Sequence, residues 1–377
     1  MTALQEFLDR DVVPQAERWD REERLPRAAV APLAAFGVLA ANVSAEHGGQ
    51  PGDPAAWGEQ LEALGEASMS LLSVVTVHAM CSHALSRWAE PVLQSEWLPR
   101  MATGEILGGF ALTEPAIGSD AKNIEARLDD HGDHWLLNGR KRWISAAQIV
   151  DVVLVAGRTD AGPTVVLVPT NSPGLTITPI GGLLGFRAAQ PCELGFENVV
   201  VPKRRLVGPE GMGFSHVAGS ALDVGRFCIA CGCTGLIRAC LRASVSYARS
   251  RKQFGVALRE HQLIQAMLAD MATSYRAARA LWRRAAEARR EALPESIVET
   301  TTAKYFAARA ASRAADDAVQ IHGANGCGPD YPVQRYFRDA RVGEIIEGSN
   351  QMQQIMLAHD ALRSFAPVRG KKSSPVS

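Results

Sequence analysis

WLLNGRKRWIS (135–145), VDVVLVAGRT (150–159), PTVVLVPT (163–170), LTITPI (175–180) and CELGFENVVVP (192–202) follow one another in the middle of the chain. Each is short, rich in Val, Ile, Leu and Thr, and bounded by Gly, Pro, Asn or Asp. Runs of this kind at this spacing predict the strands of a small barrel or sandwich. The strand region extends from residue 107 to about 213, where GPEGMGF (208–214) closes it and opens a helix.

On both sides the apolar period becomes helical. In residues 1–106, LQEFLDRDVVPQAERW (4–19) carries an apolar face interrupted at Pro14, and Pro26 stands at a helix start, where a missing N–H costs little. HGGQPGDP (47–54) reads as a loop, and Trp57 to Trp88 as helix with Gly65 its weak spot. In residues 214–365, Ile264, Met267, Met271, Tyr275, Ala278 and Trp282 form an inward stripe. Arg283, Arg289, Arg290 and Glu291 lead into a polar loop near Pro294, and a second long helix follows with Lys304, Ala308 and Ala315. Its alanines permit close helix approach, which predicts a helical bundle. Residues 366–377 are expected to be a disordered tail. The fold class is therefore α+β and multidomain: an N-terminal helical domain, a middle β-domain and a C-terminal bundle. This order is not the alternation of a Rossmann domain, and neither GxGxxG nor GxxxxGK[ST] occurs in the required context.

A chain of 377 residues suits two or three domains. Lys plus Arg equals Asp plus Glu, 40 each, so no net charge draws the protein to nucleic acid or an anionic membrane. MTALQEFLDRD lacks the apolar run of a signal peptide, and no stretch reaches the roughly 20 apolar residues of a membrane span. Seven cysteines in such a chain read as reduced thiols, which predicts a cytoplasmic location. Cys228, Cys231 and Cys233 lie among small apolar residues with no matching Cys or His pair, so no metal site is expected. His78 and His322 read as packing or hydrogen-bonded histidines.

FALTEPAIGSD (110–120), GRKRWISAA (139–147), VPKRRLVGPEGMGF (201–214), YARSRKQFG (247–255), EHQLIQAMLADM (260–271), VQIHGANG (319–326) and RDARVGEIIEGSNQMQ (338–353) resemble, in this order, the marks of the acyl-CoA dehydrogenase family. Each alone is weak; the ordered set spans nearly the whole chain. SMSLLSVVTVH (68–78) and EIIEGS (344–349), with a late-starting N-terminus, most resemble the dehydrogenases of the methoxymalonyl and hydroxymalonyl carrier-protein pathway of polyketide biosynthesis.

The resemblance implies a C-terminal four-helix bundle, FAD as cofactor and removal of two hydrogens across the α and β carbons of an acyl thioester, on a carrier protein or on CoA. Glu347 takes the place of the base, and the β hydrogen leaves as hydride to flavin N5. The thioester carbonyl would be polarised by the Glu347 N–H and a ribityl hydroxyl. Read locally, Glu347 is an acid beside a helix start with Ser349 as cap. Some relatives carry the base one residue before the arginine of a D-x-x-R turn; that position is Gly225 here, which cannot act. Phe110, Leu112 and Thr113 are implied along the flavin, with Trp143 and Ser145 beside its dimethylbenzene and N5 side and Ser119 at a phosphate. Taken singly, Gly118-Ser119-Asp120 is a plain turn and Trp143 a core residue. Arg251, Gln253 and Phe254, with Gln320, Gly323 and Ala324, match residues that a neighbouring subunit offers to the cofactor, implying a homodimer or homotetramer. The usual second glycine of that stretch is Ala324. Ser349 and Gln351 would close the adenosine side. Asp223 and Arg226 match residues near the thioester chain, or form an intrahelical i,i+3 pair. The electron acceptor would be an electron-transfer flavoprotein or oxygen. A flavin oxidase or monooxygenase of the same fold usually lacks the carboxylate at position 347, and a non-enzymatic helical scaffold would bind no flavin.

Overall fold

The strand-forming runs build one hydrogen-bonded sheet of eight strands: β1 (Gly108–Ala111), β2 (Arg127–Asp130), β3 (His134–Ile144), β4 (Val152–Thr159), β5 (Gly162–Pro169), β6 (Leu175–Pro179), β7 (Cys192–Pro202) and β8 (Leu206–Val207). The computed structural model describes residues 2–366, so 367–377 of the expected tail lie outside the described residues. The strand order is β6-β7-β3-β2-β4-β5-β8, with β1 parallel to β4. β4 is buried along nearly its whole length, which explains why its apolar run does not alternate. An irregularity in β3 between Lys141 and Ile144 breaks the ladder with β7 and leaves Trp143 at a left-handed φ of 64°.

The N-terminal helices are α1 (Ala3–Phe7), α2 (Val13–Arg21), α3 (Pro54–Ala67), α4 (Met69–Trp88) and α5 (Pro91–Ala102). Pro14 does not interrupt the first of these. A π turn at Leu8–Val12 joins α1 to α2, and Pro14 stands in the first turn of α2, where its missing N–H is not needed. Pro26 precedes only a 3-10 turn, Arg27–Ala29. The helix from Trp57 breaks at Ser68, whose hydroxyl caps α4, and not at Gly65. Gly65 instead lets α3 approach the backbone of Gly232.

The C-terminal part contains α6 (Gly219–Ser250), a short hairpin of β9 (Lys252–Gln253) and β10 (Val256–Ala257), then α7 (Gln262–Arg290), α8 (Ser296–His322), α9 (Val333–Gly343) and α10 (Asn350–Ser364). α6, α7 and α8 pack together, α10 lies on α8, and α3 covers the other side of α6. Arg283, Arg289 and Arg290 belong to α7 and not to the loop. They are held there by partners on other elements, such as Glu59 for Arg283. Two helices, Met69–Trp88 and Gly213–Ser250, are long and apolar enough to cross a membrane, contrary to the sequence reading; 89% and 83% of their apolar windows are buried inside the protein.

Candidate active site

Glu347 sits in the turn between α9 and α10. It holds φ 56°, followed by Gly348 at 87°, and Ser349 then caps α10 by accepting from Met352 N. A non-glycine residue in this region costs on the order of 1 kcal/mol or more and persists only where its surroundings impose it. Arg226 Nε donates to Glu347 O at 3.1 Å, and Lys304 Nζ donates to Gly348 O at 3.0 Å and to Asn350 Oδ1 at 3.2 Å. Gln353 Nε2 also reaches Gly348 O, at 3.1 Å. These contacts turn the Glu347 side chain toward α6, where Gly225 leaves room for it. A Cβ at Gly225 would overlap Oε2 and lie 2.7 Å from Cδ and 2.9 Å from Met80 Sδ of α4.

Glu347 as a residue is half-buried, but its Oε2 is buried with no hydrogen-bond partner among the described residues. Burial pushes the carboxyl up to about 7, against the pull of Arg226 and Lys304. Burial likewise pushes the fully buried Lys304 amine down to about 8. Asp223 does not pair with Arg226. Its Oδ2 accepts from Arg289 Nη2 at 2.6 Å, while Arg226 serves the Glu347 carbonyl.

The sheet meets this region through α4. Ser73 Oγ donates to Ser145 Oγ at 3.4 Å, and Ser73 lies two turns before Met80 on α4. Phe110 and Leu112 are buried, Thr113 is half-buried, and Ser119 is exposed. The segment that follows β1 is locked to β3 here. Arg142 N donates to Thr113 O at 2.8 Å, and Lys141 Nζ donates to Leu112 O at 2.9 Å and Glu114 Oε1 at 2.7 Å. Glu114 also accepts from Glu125 N and Ala126 N. Lys141 is wholly buried, so this is a dry, fully bonded ion pair beneath the Leu112–Thr113 edge. Trp143 is 50% exposed, with Arg142 stacked 5.0 Å from its ring.

Arg251, Gln253 and Phe254 lie elsewhere. Arg251 is 26 residues beyond Gly225, at the far end of α6, roughly 39 Å along its axis. Gln320, Gly323 and Ala324 end α8 at that same end, where Asn325 Nδ2 bonds Tyr247 OH at 2.8 Å and His322 stacks on Tyr247. All six are exposed, and Phe254 is 95% exposed at φ 54°. Gln351 is exposed on the first turn of α10. The structure thus brings Glu347, Gly225, Arg226 and Ser349 together at one end of the bundle and these six at the other.

Among the remaining sequence candidates, Cys228, Cys231 and Cys233 are buried in α6 with thiols pushed up by burial, to about 12 for Cys233. His78 accepts from Gly108 N at 3.2 Å, and its other ring nitrogen faces Leu39 O; burial pushes it down to about 4, so it is neutral. His322 Nδ1 meets Ala318 O at 2.7 Å. Sequence reasoning missed the roles of Lys304, Lys141, Glu114 and Arg289. The legible signal for Lys304 was a lysine inside the stripe Ala303, Ala307, Ala308 and Ala311, where the rest of the face is buried.

Large aromatic surface left open at Trp143 and Phe254, in backbone conformations that side chains rarely adopt, is surface prepared for a covering group. Together with an unpartnered buried carboxylate oxygen, the residues present fit a flavin. The molecule is an FAD-dependent oxidoreductase acting on a CH–CH group. Residues 1–105, 109–199 and 211–362 match the N-terminal, middle and C-terminal domains of acyl-CoA dehydrogenase, and the chain belongs to that family. It is 35% identical to a glutaryl-CoA dehydrogenase of Desulfococcus multivorans over 95% of this chain and 94% of that protein. A glutaryl-CoA dehydrogenase of Mycobacterium smegmatis, solved in complex with FADH2, superposes with a TM-score of 0.90 at 28% identity, over 97% and 94% of the two chains. FkbI, a protein for biosynthesis of the methoxymalonyl extender unit of a polyketide immunosuppressant, superposes with a TM-score of 0.88 at 32% identity, over 95% and 99%.

Proposed function

We propose that this chain oxidises the α,β bond of a short acyl thioester with Glu347 as the base that removes the α proton. The observation that carries this reading is the buried, unpartnered Oε2 of Glu347, facing the space that Gly225 leaves open. A carboxylate with a pKa raised to about 7 binds a proton more strongly than one in water and is half-ionised near neutral pH. Arg226 and Lys304 hold the backbone of the turn, so the carboxylate is aimed by its main chain while its second oxygen stays available. Phe110, Leu112, Thr113, Trp143, Ser145 and Ser119 would hold the flavin and the near phosphate. When bound, FAD accepts the β hydride and leaves the protein only the proton to handle. Ser349 and Gln351 would close the adenosine side.

Arg251, Gln253, Phe254, Gln320, Gly323 and Ala324 would serve the flavin of a second copy, because roughly 39 Å of helix separates them from Glu347 in one chain. The active form is then at least a homodimer, with an electron-transfer flavoprotein or oxygen as acceptor.

For the handle, likeness to FkbI and the SMSLLSVVTVH and EIIEGS strings support an acyl group on a carrier protein, of the hydroxymalonyl kind. Likeness to the glutaryl-CoA dehydrogenases supports CoA to the same degree. Anaerobic flavin bleaching with one acyl group offered both ways decides between them. Faster bleaching from the carrier-bound form supports the first. Equal or faster bleaching by simple straight-chain acyl-CoA assigns the chain to general acyl-CoA oxidation.

A further inference from the structure

Nine described residues other than glycine take a left-handed backbone, and five of them fall on three short segments: Trp143 (φ 64°) with Ala146 (60°), Phe186 (52°) with Gln190 (50°), and Glu347 (56°). Such conformations persist only where the surroundings impose them, so their concentration points to an enforced geometry. Trp143 and Ala146 flank Ser145, on the side of the site where the flavin would lie. Glu347 is the base side. Phe186 and Gln190 bracket the 3-10 turn Arg187–Ala189, which neither side of the proposed mechanism uses.

That turn is bonded to both. Ala146 N donates to Ala189 O at 2.8 Å, which fixes the turn to the residue after Ser145. Phe186 N donates to Asp339 Oδ1 at 2.7 Å, which fixes it to α9. Ala146, Phe186, Ala189 and Asp339 are all buried. Gly185 lies directly against α9: a Cβ there would overlap Arg338 O and lie 2.9 Å from Asp339 N. From α9 the connection runs on by backbone bonds, since Ile345 N and Ile346 N donate to Val342 O, and Asn350 N donates to Glu344 O across the Glu347 turn. An unbroken run of helix and hydrogen bonds thus joins Ser145 to Glu347, and the Asp339 side chain is its one link that is not main chain.

The same turn is held from two more directions. It packs on α4, and Gln190 Nε2 donates to Leu25 O of the N-terminal part at 2.7 Å. A buried loop N–H has no ladder to satisfy it, and the Asp339 oxygen supplies what the sheet does not. The proposed reaction takes a proton to the end of the α9–α10 turn and a hydride to the Ser145 side. These groups stand on different layers of the fold, and the reaction depends on their separation.

We propose that Asp339 is a positioning residue which, with the 186–190 turn as a strut, sets the separation between the Ser145 edge and the Glu347 carboxylate. This rests on the flavin and thioester reading above. Asp339 acts through Phe186 N and Ala189 O, so what matters is an acceptor oxygen at its position rather than its charge.

The test is residue-resolved amide hydrogen exchange on the FAD-loaded protein without substrate, in the wild type, Asp339→Leu and Asp339→Asn. In Asp339→Leu the Phe186 N–H should exchange about 10- to 100-fold faster, the worth of a hydrogen bond to a charged acceptor, and the Ala146 N–H at least about 3-fold faster, with the amides of β4 unchanged. Asp339→Asn keeps an acceptor and should return both to wild-type protection. Anaerobic flavin bleaching by butyryl-CoA should fall about 100-fold in Asp339→Leu at full FAD content, and stay within about 3-fold of wild type in Asp339→Asn. If Asp339→Leu does not fold, Gly185→Ala pushes the turn off α9 from the other side and carries the same predictions for Ala146 and for bleaching. Faster exchange at Phe186 with Ala146 unchanged overturns the proposal, because the strut then transmits nothing. An equal rise across β4 overturns it as a loss of stability alone, and a loosened Ala146 with wild-type bleaching overturns the positioning role. The exchange is read without substrate, so its failure leaves the dehydrogenase reading intact. A wild type that no thioester bleaches overturns that reading, and this proposal with it.

Discussion

Gly225→Ala is a perturbation whose effect on stability and on chemistry should diverge. The new methyl carbon would lie 2.7 Å from Glu347 Cδ and 2.9 Å from Met80 Sδ. Carbon atoms rest at about 3.5–4.0 Å, so the carboxylate must retreat by about 1 Å. Both obstacles are ends of flexible side chains, so the fold should yield cheaply, within about 1 kcal/mol of the wild type. The reaction has no such tolerance, since misplacing a reacting group by about 1 Å costs on the order of 100-fold. The assay is single-turnover bleaching of the flavin by a reducing thioester in a stopped-flow instrument without oxygen, beside thermal unfolding of the same preparation. The reasoning requires a rate lower by about 100-fold with FAD content unchanged. A rate within about 3-fold of wild type would show that the space at Gly225 is not what aims the carboxylate.

Glu347→Gln should be more stable than the wild type at pH 8 by up to about 3 kcal/mol, and equal to it at pH 4. The folded carboxyl titrates near 7 against 4.5 ordinarily, so wild-type stability falls as pH rises between those values, and the amide does not follow; denaturant melts at the two pH values measure the difference. Lys141→Met strands the buried Glu114 carboxylate and should cost about 3–5 kcal/mol, which Lys141→Met/Glu114→Gln should partly restore in the same melts. Arg251→Ala should weaken FAD retention about 10-fold or more, read by equilibrium dialysis, with the helical signal unchanged. A monomer that keeps its flavin in sedimentation would contradict the two-copy site.

The parts of this molecule that rest on local patterns were open to a reader of its sequence. The β-branched runs of 135–202 became β3 to β7, and Ser349 caps the last helix because its hydroxyl is a good acceptor for the Met352 N–H whatever surrounds it. What depends on partners far along the chain was not open. Arg289 reads as solvated loop until Asp223, 66 positions away, makes it the last turn of a helix. Asp223 and Arg226 have helical spacing for a pair, yet each is claimed by another element. Gly65 looks weak by propensity, but its missing side chain is what admits Gly232, while the break falls where Ser68 can cap. Lys141 lies on β3 and Glu114 in the loop that follows β1, and only the folded chain brings them to 2.7 Å.

The central claim is that the Glu347 carboxylate removes the α proton. Glu347→Gln keeps the side-chain length and the hold of Arg226 and Lys304 on the turn, and removes only the base. The measurement is the rate of anaerobic flavin bleaching by a saturating thioester as a function of pH. The wild-type rate should rise through about pH 7 as the carboxyl ionises. The variant should bind both FAD and thioester yet bleach at least about 1,000-fold more slowly at every pH, within the range ascribed to a positioned base. A variant that bleaches at the wild-type rate, with the same rise through pH 7, would contradict the account and place the base on another residue.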